Sequence, residues 1–387
     1  MVLCVLGLAG LYLAATAFPQ IGAQGADSLR ALIGDQAVAQ LEMMIFQVQD
    51  TFDQVKFSLG MKNVSSPWQA SGARTSVVRG TATPTPPPTF TPTVTLTPTP
   101  RPTDLPTLTP TLSPTPTLTP TATPWAPADA KPLGSLEGEA VWQPYMDDGA
   151  GHTVAYRTFI QPDPLRPYAL VAAVAFDLTR VKLNFILGIE EPYAPDMPRR
   201  SGAIPAPDNK PGVLLAAFNG AFKAQHGSYG AMSAGLTVIK PVDGFATVAI
   251  YENGDVKIGA WGRDFENADG MLAWRQNCSM IVEDGQINPL VDVDSAFHWG
   301  ANLNGATTTW RSGIGVSADG RTLYYFAGPN MKMPILAQAM HAAGVQDGMQ
   351  LDINNYWVHF VAVRNEKGKM VPESLFPDDM KADVGRY

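Results

Sequence analysis

Cysteine is nearly absent from this chain of 387 residues: there are two, too few for a disulfide scaffold or a cysteine-rich zinc module. Histidine is scarce as well, with five residues, and no His/Asp/Glu cluster has the spacing of metal ligands. No metal centre and no other cofactor is therefore expected. Positive charge is in deficit. Lys and Arg total 27 against 35 Asp and Glu, a formal net charge of -8, so the chain lacks the basic footprint of a nucleic-acid binder. Charged residues are only 16% of the total, whereas apolar residues are 45%, enough to bury a core and to exclude wholesale disorder. The 35 glycines and 34 prolines are too many for one uniform domain and point to a biased segment.

Residues 1–18 carry no charged side chain, and the apolar run continues with few interruptions to about residue 26. As a helix, about 20 residues would span ~30 Å, the hydrocarbon thickness of a bilayer. Residues 1–26 are therefore read as a signal anchor, although the first basic residue is Arg30 and no positive n-region precedes the run. The alternative is a cleaved signal peptide, since Ala15, Thr16 and Ala17 resemble an A-x-A site, with Pro19 close behind. Either reading places the remainder outside the cytoplasm, held at a membrane or secreted.

Within residues 27–60, Val38, Leu41, Ile45, Val48, Phe52, Val55 and Leu59 recur at alternating gaps of three and four, a heptad seam that Gly60 is placed to end. Self-association through residues 38–59 fits this pattern. So does an amphipathic helix lying on a bilayer or on the rest of the chain. Residues 61–130 read as a linker, because Thr and Pro supply 32 of the 44 residues in 81–124. Such a stretch has little to bury and is expected to be disordered and extended, a spacer suited to O-glycosylation that holds residues 131–387 away from a membrane.

Residues 131–387 are long enough for one large core. Residues 168–176 and 181–187 flank a short turn and predict a hairpin, and residues 213–218 are a short apolar run of the buried-strand kind. Strand–turn–strand units are expected at 247–258, 280–287 and 312–326, each turning on an acidic or amide residue beside glycine. The clearest helix is 333–343, where Leu336, Ala339, Met340 and Ala343 share a face and Gly344 comes next. Runs of strands with few helices predict an α+β domain on a mixed or antiparallel sheet.

Three constellations carry candidate chemistry. Asn219 and Gly220 directly follow the apolar run 213–218, where an amide and a glycine let the chain approach a ligand closely. Arg311 opens the run to Val316, and its planar fork suits phosphate oxygens. Asp352, Asn354, Asn355, Tyr356, Trp357 and His359 come after the helix within eight residues. Each has a bland reading beside the functional one: Asn219 as a turn cap, Arg311 as half of a surface ion pair, Asp352 as the start of a turn. Cys278 reads as an inert thiol, and His298 and His341 as structural.

The order Asn219, Gly220 and Phe222, then Arg311, Ser312, Ile314, Gly315 and Val316 ahead of Asp319 and Gly320, then a helix leading into Leu351 and Asp352, resembles the phosphodiester glycosidase family. The resemblance spans roughly residues 213–360. It implies that Asn219 and Gly220 match the family's first motif, Arg311 the second and Asp352 the third. The family usually continues the third motif as Asp-Gly-Gly-Gly-Ser-Ser. Here Ile353, Asn354, Asn355, Tyr356 and Trp357 replace the glycines and hydroxyls, and Ala221 stands where a second glycine is common.

What the resemblance implies is hydrolysis of a sugar-1-phosphodiester on a cell-envelope glycan or its precursor. Arg311 and the backbone near Gly220 would hold the phosphate and Asn219 would orient an oxygen. Asp352 would act as general acid/base or stabilise an oxocarbenium-like transition state. His226 and His359 are the other proton carriers near the motifs, and Asn354, Asn355 or His359 the replacement donors. The alternative is a non-catalytic glycan-binding module, with sugars stacking on Trp261, Trp274, Trp299, Trp310 or Trp357.

Overall fold

The structure, a computed structural model, describes residues 32–62, 64, 66–68, 124–189, 191–192, 200–293, 296–299 and 307–385. The apolar run 1–26 and nearly all of the Thr/Pro-rich stretch lie outside the described residues. Among the described residues no helix is long and apolar enough to cross a membrane. In chain order the elements are α1 (Asp35–Ser58), β1 (Gln143–Asp147), β2 (Thr153–Ile160), β3 (Val171–Asp177), β4 (Ala216–Phe218), β5 (Ala231–Ser233) and β6 (Leu236–Ile239). Next come β7 (Ala246–Tyr251), β8 (Val256–Ala260), β9 (Met271–Gln276), β10 (Met280–Glu283), β11 (Gln286–Ile287) and α2 (Ala296–Trp299). The chain continues through β12 (Thr309–Val316), β13 (Thr322–Met331), α3 (Met333–Ala342), β14 (Asp347–Ile353), β15 (Phe360–Glu366) and β16 (Lys369–Ser374).

The strands form an eight-stranded sheet in the order β1-β2-β3-β13-β12-β14-β10-β11, a three-stranded sheet β16-β15-β4, and a five-stranded sheet β6-β5-β9-β7-β8. Neighbouring strands pair antiparallel throughout, so of the mixed or antiparallel alternatives the described residues take the second. The hairpins expected at 247–258, 280–287 and 312–326 are β7–β8, β10–β11 and β12–β13. In the last, Asp319 Oδ1 accepts the Arg321 N–H (3.0 Å) and Gly320 takes a positive φ of 66°, the local chemistry of a tight turn.

Helix α3 lies on one face of the large sheet, burying Leu336, Ala339, Met340 and Ala343 completely, at roughly 1.5–3 kcal/mol for each large side chain. Two glycines permit the close approach. A Cβ on Gly315 would fall 2.6 Å from Val345 Cγ1, and one on Gly313 would fall 3.1 Å from Met340 Sδ. The opposite face packs with the small sheets around Ile314, Tyr325, Leu351 and Phe360.

Two expectations change. Residues 181–187 pair with no strand, because β3 is already flanked by β2 and β13 and offers no free edge. The apolar run 213–218 yields only the three-residue edge strand β4, half-buried, rather than a buried central strand.

The heptad segment does form a helix, α1, and it docks on the domain. Asp50 accepts from Arg166 Nε (2.6 Å) and Nη2 (2.5 Å), and Arg166 Nη1 donates to Asp163 (3.1 Å), all three side chains being buried. Asn330 donates to Asp53 (3.0 Å), Phe57 packs on Tyr168 (5.4 Å), and Met43 and Phe46 reach the core under α3. Past the helix, Trp68 is buried edge-on to Phe159 (6.3 Å), and Trp125 meets Tyr156 edge-on (5.6 Å). Both flanks of residues 69–124 are thus fastened to β2.

Burial pushes the Asp50 carboxyl up, but its Arg166 bonds and charge outweigh this and hold it below the usual carboxylate range. Asp50→Ala leaves the Arg166 charge buried without its main partner, which should cost about 3–5 kcal/mol in denaturant unfolding. Because the folded pKa is depressed, this contribution is present above the ordinary carboxylate value and lost as pH falls through the folded one. The gap between wild type and variant should therefore close in acid.

Candidate active site

Strand β14 runs beside β12 with Arg311 opposite Ile353, and its last residues carry the chain out of the large sheet. Asn354 makes the exit. It adopts φ 64°, and its side-chain oxygen accepts the N–H groups of Tyr356 (3.0 Å) and Trp357 (3.2 Å). The chain then enters β15, which pairs with β4 through Phe360 and Phe218 and brings the end of β4 alongside. Asn219 stands at that junction, buried. Its side-chain oxygen accepts from Tyr325 Oη (2.8 Å) and the His359 N–H (3.1 Å), and its amide nitrogen donates to Ser312 Oγ (2.9 Å) and the Gly220 carbonyl (3.1 Å). Ser312 Oγ in turn donates to the Asp352 carbonyl (2.8 Å). The ends of β4, β12 and β14 therefore converge, joined through Asn219 and Ser312. The amide of Asn219 is fully used in holding that joint.

Arg311 occupies a different place from the phosphate-holding mouth expected of it. Adjacent residues on a strand point to opposite faces, so while Ser312 faces Asn219, Arg311 points under α3 and is wholly buried. Its Nε, Nη1 and Nη2 donate to Met331 O (3.1 Å), Gln350 Oε1 (2.8 Å) and Thr307 O (2.9 Å), and burial pushes its pKa down to about 10. Gln350 links it to Cys278 (3.5 Å), a buried thiol pushed up to about 12. This is a buried polar layer beneath the site, without an open fork.

Asp352 is half-buried at the end of β14, and loss of solvent pushes its carboxyl up to about 7 against the opposing Ile353 N–H (2.8 Å), Lys223 and Arg275. The cations that act on it are these two rather than Arg311. Arg275 is buried, donating to Tyr229 O (2.6 Å), Gly230 O (3.1 Å) and Phe222 O, and is pushed down to about 10 by burial, with Glu191 and Asp352 opposing. Lys223 lies 4.5 Å over the Trp357 ring. Glu191 accepts the Ala224 N–H (3.0 Å), which places a second carboxylate by the same loop. Gly220 is exposed, with open space where a side chain would be.

The remaining sequence candidates divide. His226 ends a half-buried 3-10 turn, Ala224–His226, in the loop that carries Lys223. Asn355 is exposed beside Asp352, while Asn354 spends its side-chain oxygen on the turn. His359 is buried, with Nε2 3.1 Å from the Asp383 carbonyl, and its backbone serves Asn219. Of the five tryptophans, Trp261, Trp274 and Trp299 are core, Trp310 packs on Phe376 (5.1 Å), and Trp357 is the one associated with Lys223. Lys223, Arg275 and Glu191 were not picked out in the sequence. Only Lys223, one residue past the first motif, had a local signal. Among the described residues no group of three His, Cys, Asp or Glu could hold a metal ion.

Residues 213–352 match the phosphodiester glycosidase family model, so the resemblance carried by the three motifs extends from the approach to β4 through Asp352. Among solved structures, the zebrafish N-acetylglucosamine-1-phosphodiester alpha-N-acetylglucosaminidase catalytic domain, auto-inhibited by pro-peptide, is similar over 57% of this chain and 75% of that one, at 14% identity and a TM-score of 0.38. A hypothetical protein from Synechocystis is similar over 59% of this chain and 61% of that one, at 10% identity and a TM-score of 0.30. Comparison with curated proteins finds no match.

Two outcomes are expected in unfolding experiments. Asn219→Ala removes bonds to Ser312 and Tyr325 and leaves the buried His359 N–H without its acceptor, and should lose about 1–3 kcal/mol in urea titration. Asp352 has a folded pKa raised to about 7 from 3.8, so the native state loses stability as pH rises through that window. Asp352→Asn removes this loss, and its gain in Tm over wild type should be larger at pH 8 than at pH 5.

Proposed function

We infer that this protein is a hydrolase of phosphodiester-linked sugars, cleaving a sugar-1-phosphodiester with Asp352 as general acid. The observation that carries this reading is the convergence of β4, β12 and β14 on Asp352, inside the span that matches the family. A carboxyl near pH 7 between cations is poised to hand over a proton in neutral solution. As the bond from the sugar C1 to the phosphate oxygen breaks, Asp352 protonates that oxygen. Lys223 and the exposed backbone at Gly220 face the charge that develops on the departing phosphate. Glu191 is the second carboxylate that a glycosidase uses to activate water or to attack C1. The face of Trp357, held by Lys223, forms the sugar-stacking wall.

Asn219, Ser312 and Arg311 act in this reading as positioning residues beneath the reacting groups. The apolar run at 1–26 supports a membrane-held, extracytoplasmic enzyme, and so a cell-envelope glycan or its precursor as substrate. The second reading, a glycan-binding module, draws on the same Trp357.

The full chain assayed on sugar-1-phosphodiesters separates the two. Asp352→Asn should lower kcat by about 10²–10⁴-fold, and Lys223→Ala should raise KM. The proton is available only while Asp352 is protonated, so turnover should decline as pH rises past about 7. Glycan retention by a wild type that turns nothing over would establish the binding module instead.

A further inference from the structure

Helix α1 docks with one face and leaves the opposite one bare. Asp50, Phe46, Met43 and Phe57 lie toward the domain. On the far side Met44, Val48, Phe52, Val55 and Leu59 are 50%, 48%, 55%, 48% and 67% exposed. Four of these five, all but Met44, belong to the heptad seam, which Ile45 and Leu41 extend toward the N-terminus as half-buried residues. A row of large apolar side chains at gaps of three and four, with no charge in it, is the pattern of a helix that pairs with another helix.

We propose that this face binds the same face of a second copy of the chain, with the two α1 helices antiparallel. Three observations select that occupant. The helix carries one basic residue, Lys56, where amphipathic helices that bind an anionic lipid surface use rows of Lys and Arg. The seam is complementary to its own reverse. With the two-fold axis level with residue 50, Val48 meets Phe52, Ile45 meets Val55 and Leu41 meets Leu59 of the second copy, so the bulkiest side chain faces a small one. A parallel pair would instead stack Phe52 on Phe52 and Val48 on Val48. The flanks agree as well: the antiparallel register sets Glu42 beside Lys56 of the second copy and Thr51 beside Thr51, whereas the parallel one brings neither pair together. The domains ride on the outer faces of the pair, so the candidate site is not part of the seam.

The test uses the full chain with Cys4→Ser, Cys278 being buried. Thr51→Cys in this background should be linked to dimers by a short bismaleimide, and Ser58→Cys, which faces Met44 of the other copy, should not. Phe52→Glu should abolish the Thr51→Cys dimer and return the sedimentation coefficient to that of a monomer. The Phe52→Glu monomer should keep the wild-type far-UV spectrum and a cooperative unfolding transition, since Phe52 is on the surface. A monomer at micromolar concentration, a dimer indifferent to Phe52→Glu, or linkage through Val48→Cys with none through Thr51→Cys (the parallel register) would each overturn the proposal. So would Phe52-dependent flotation with neutral vesicles by a chain that stays monomeric, which would assign the face to lipid.

Discussion

Everything near the candidate site is organised by one buried side-chain amide. Asn219 has two hydrogens to give and two lone pairs to receive, and all four are used: one on the neighbouring Gly220 carbonyl, the others on Ser312 of β12, Tyr325 of β13 and the His359 N–H at the entry to β15. In a dry interior each such bond is costly to leave unmade, so the amide does more than add stability. It fixes the distance between the edge sheet and the large sheet at the point where β14 leaves the latter. Ser312 passes the constraint on by donating to the Asp352 carbonyl, and the reach of the Asp352 carboxyl is set by where that carbonyl is held.

Electrostatics arise from the same geometry. Arg275 is buried near Asp352 and donates to the backbone carbonyls of Tyr229, Gly230 and Phe222, not to the Asp352 carboxylate. Held by carbonyls in this way, it acts on Asp352 through its charge alone. Asp352, losing water but given no direct ion pair by Arg275, is left close to half-protonated at neutral pH. Had Arg275 bonded the carboxylate directly, Asp352 would be a permanent anion, and proton donation would fall to another group.

The sequence was most readable where structure is local. The hairpins that turn at Gly254, Gly285 and Gly320, and the face of α3, depend on residues a few positions apart, and they form where expected. Readability failed where partners are distant. The strand reading of residues 181–187 had the right alternation, but β13, more than a hundred residues onward, had already taken that edge of β3. At the site, the arginine of the second motif was legible as a residue but not its side of the strand. One position of parity sends Arg311 beneath α3 and gives the junction to Ser312. Arg275 and Glu191 lie outside all three motifs, and only the folding of the five-stranded sheet and of the loop before β4 brings their charges to bear near Asp352.

The third motif is where this chain departs most from the family pattern, and the structure gives that departure a physical account. Glycines in a turn supply positive φ and leave room; of the residues that stand in their place, Asn354 supplies the positive φ, the amide residue best able to do so because its side chain can bond the backbone ahead of it. Ile353 stays in the strand, so Asn354 is the one left-handed position in this turn. The room that glycines would have left is filled instead by Tyr356 and Trp357, packed edge to face at 4.6 Å, with Lys223 over the indole. A flexible turn lined by hydroxyls is thereby exchanged for a stiff one lined by an aromatic face and a cation. In the proposed reading such a wall would favour stacking and charge over the adaptable hydrogen bonds of serine hydroxyls, with the carboxyl of Asp352 left in place.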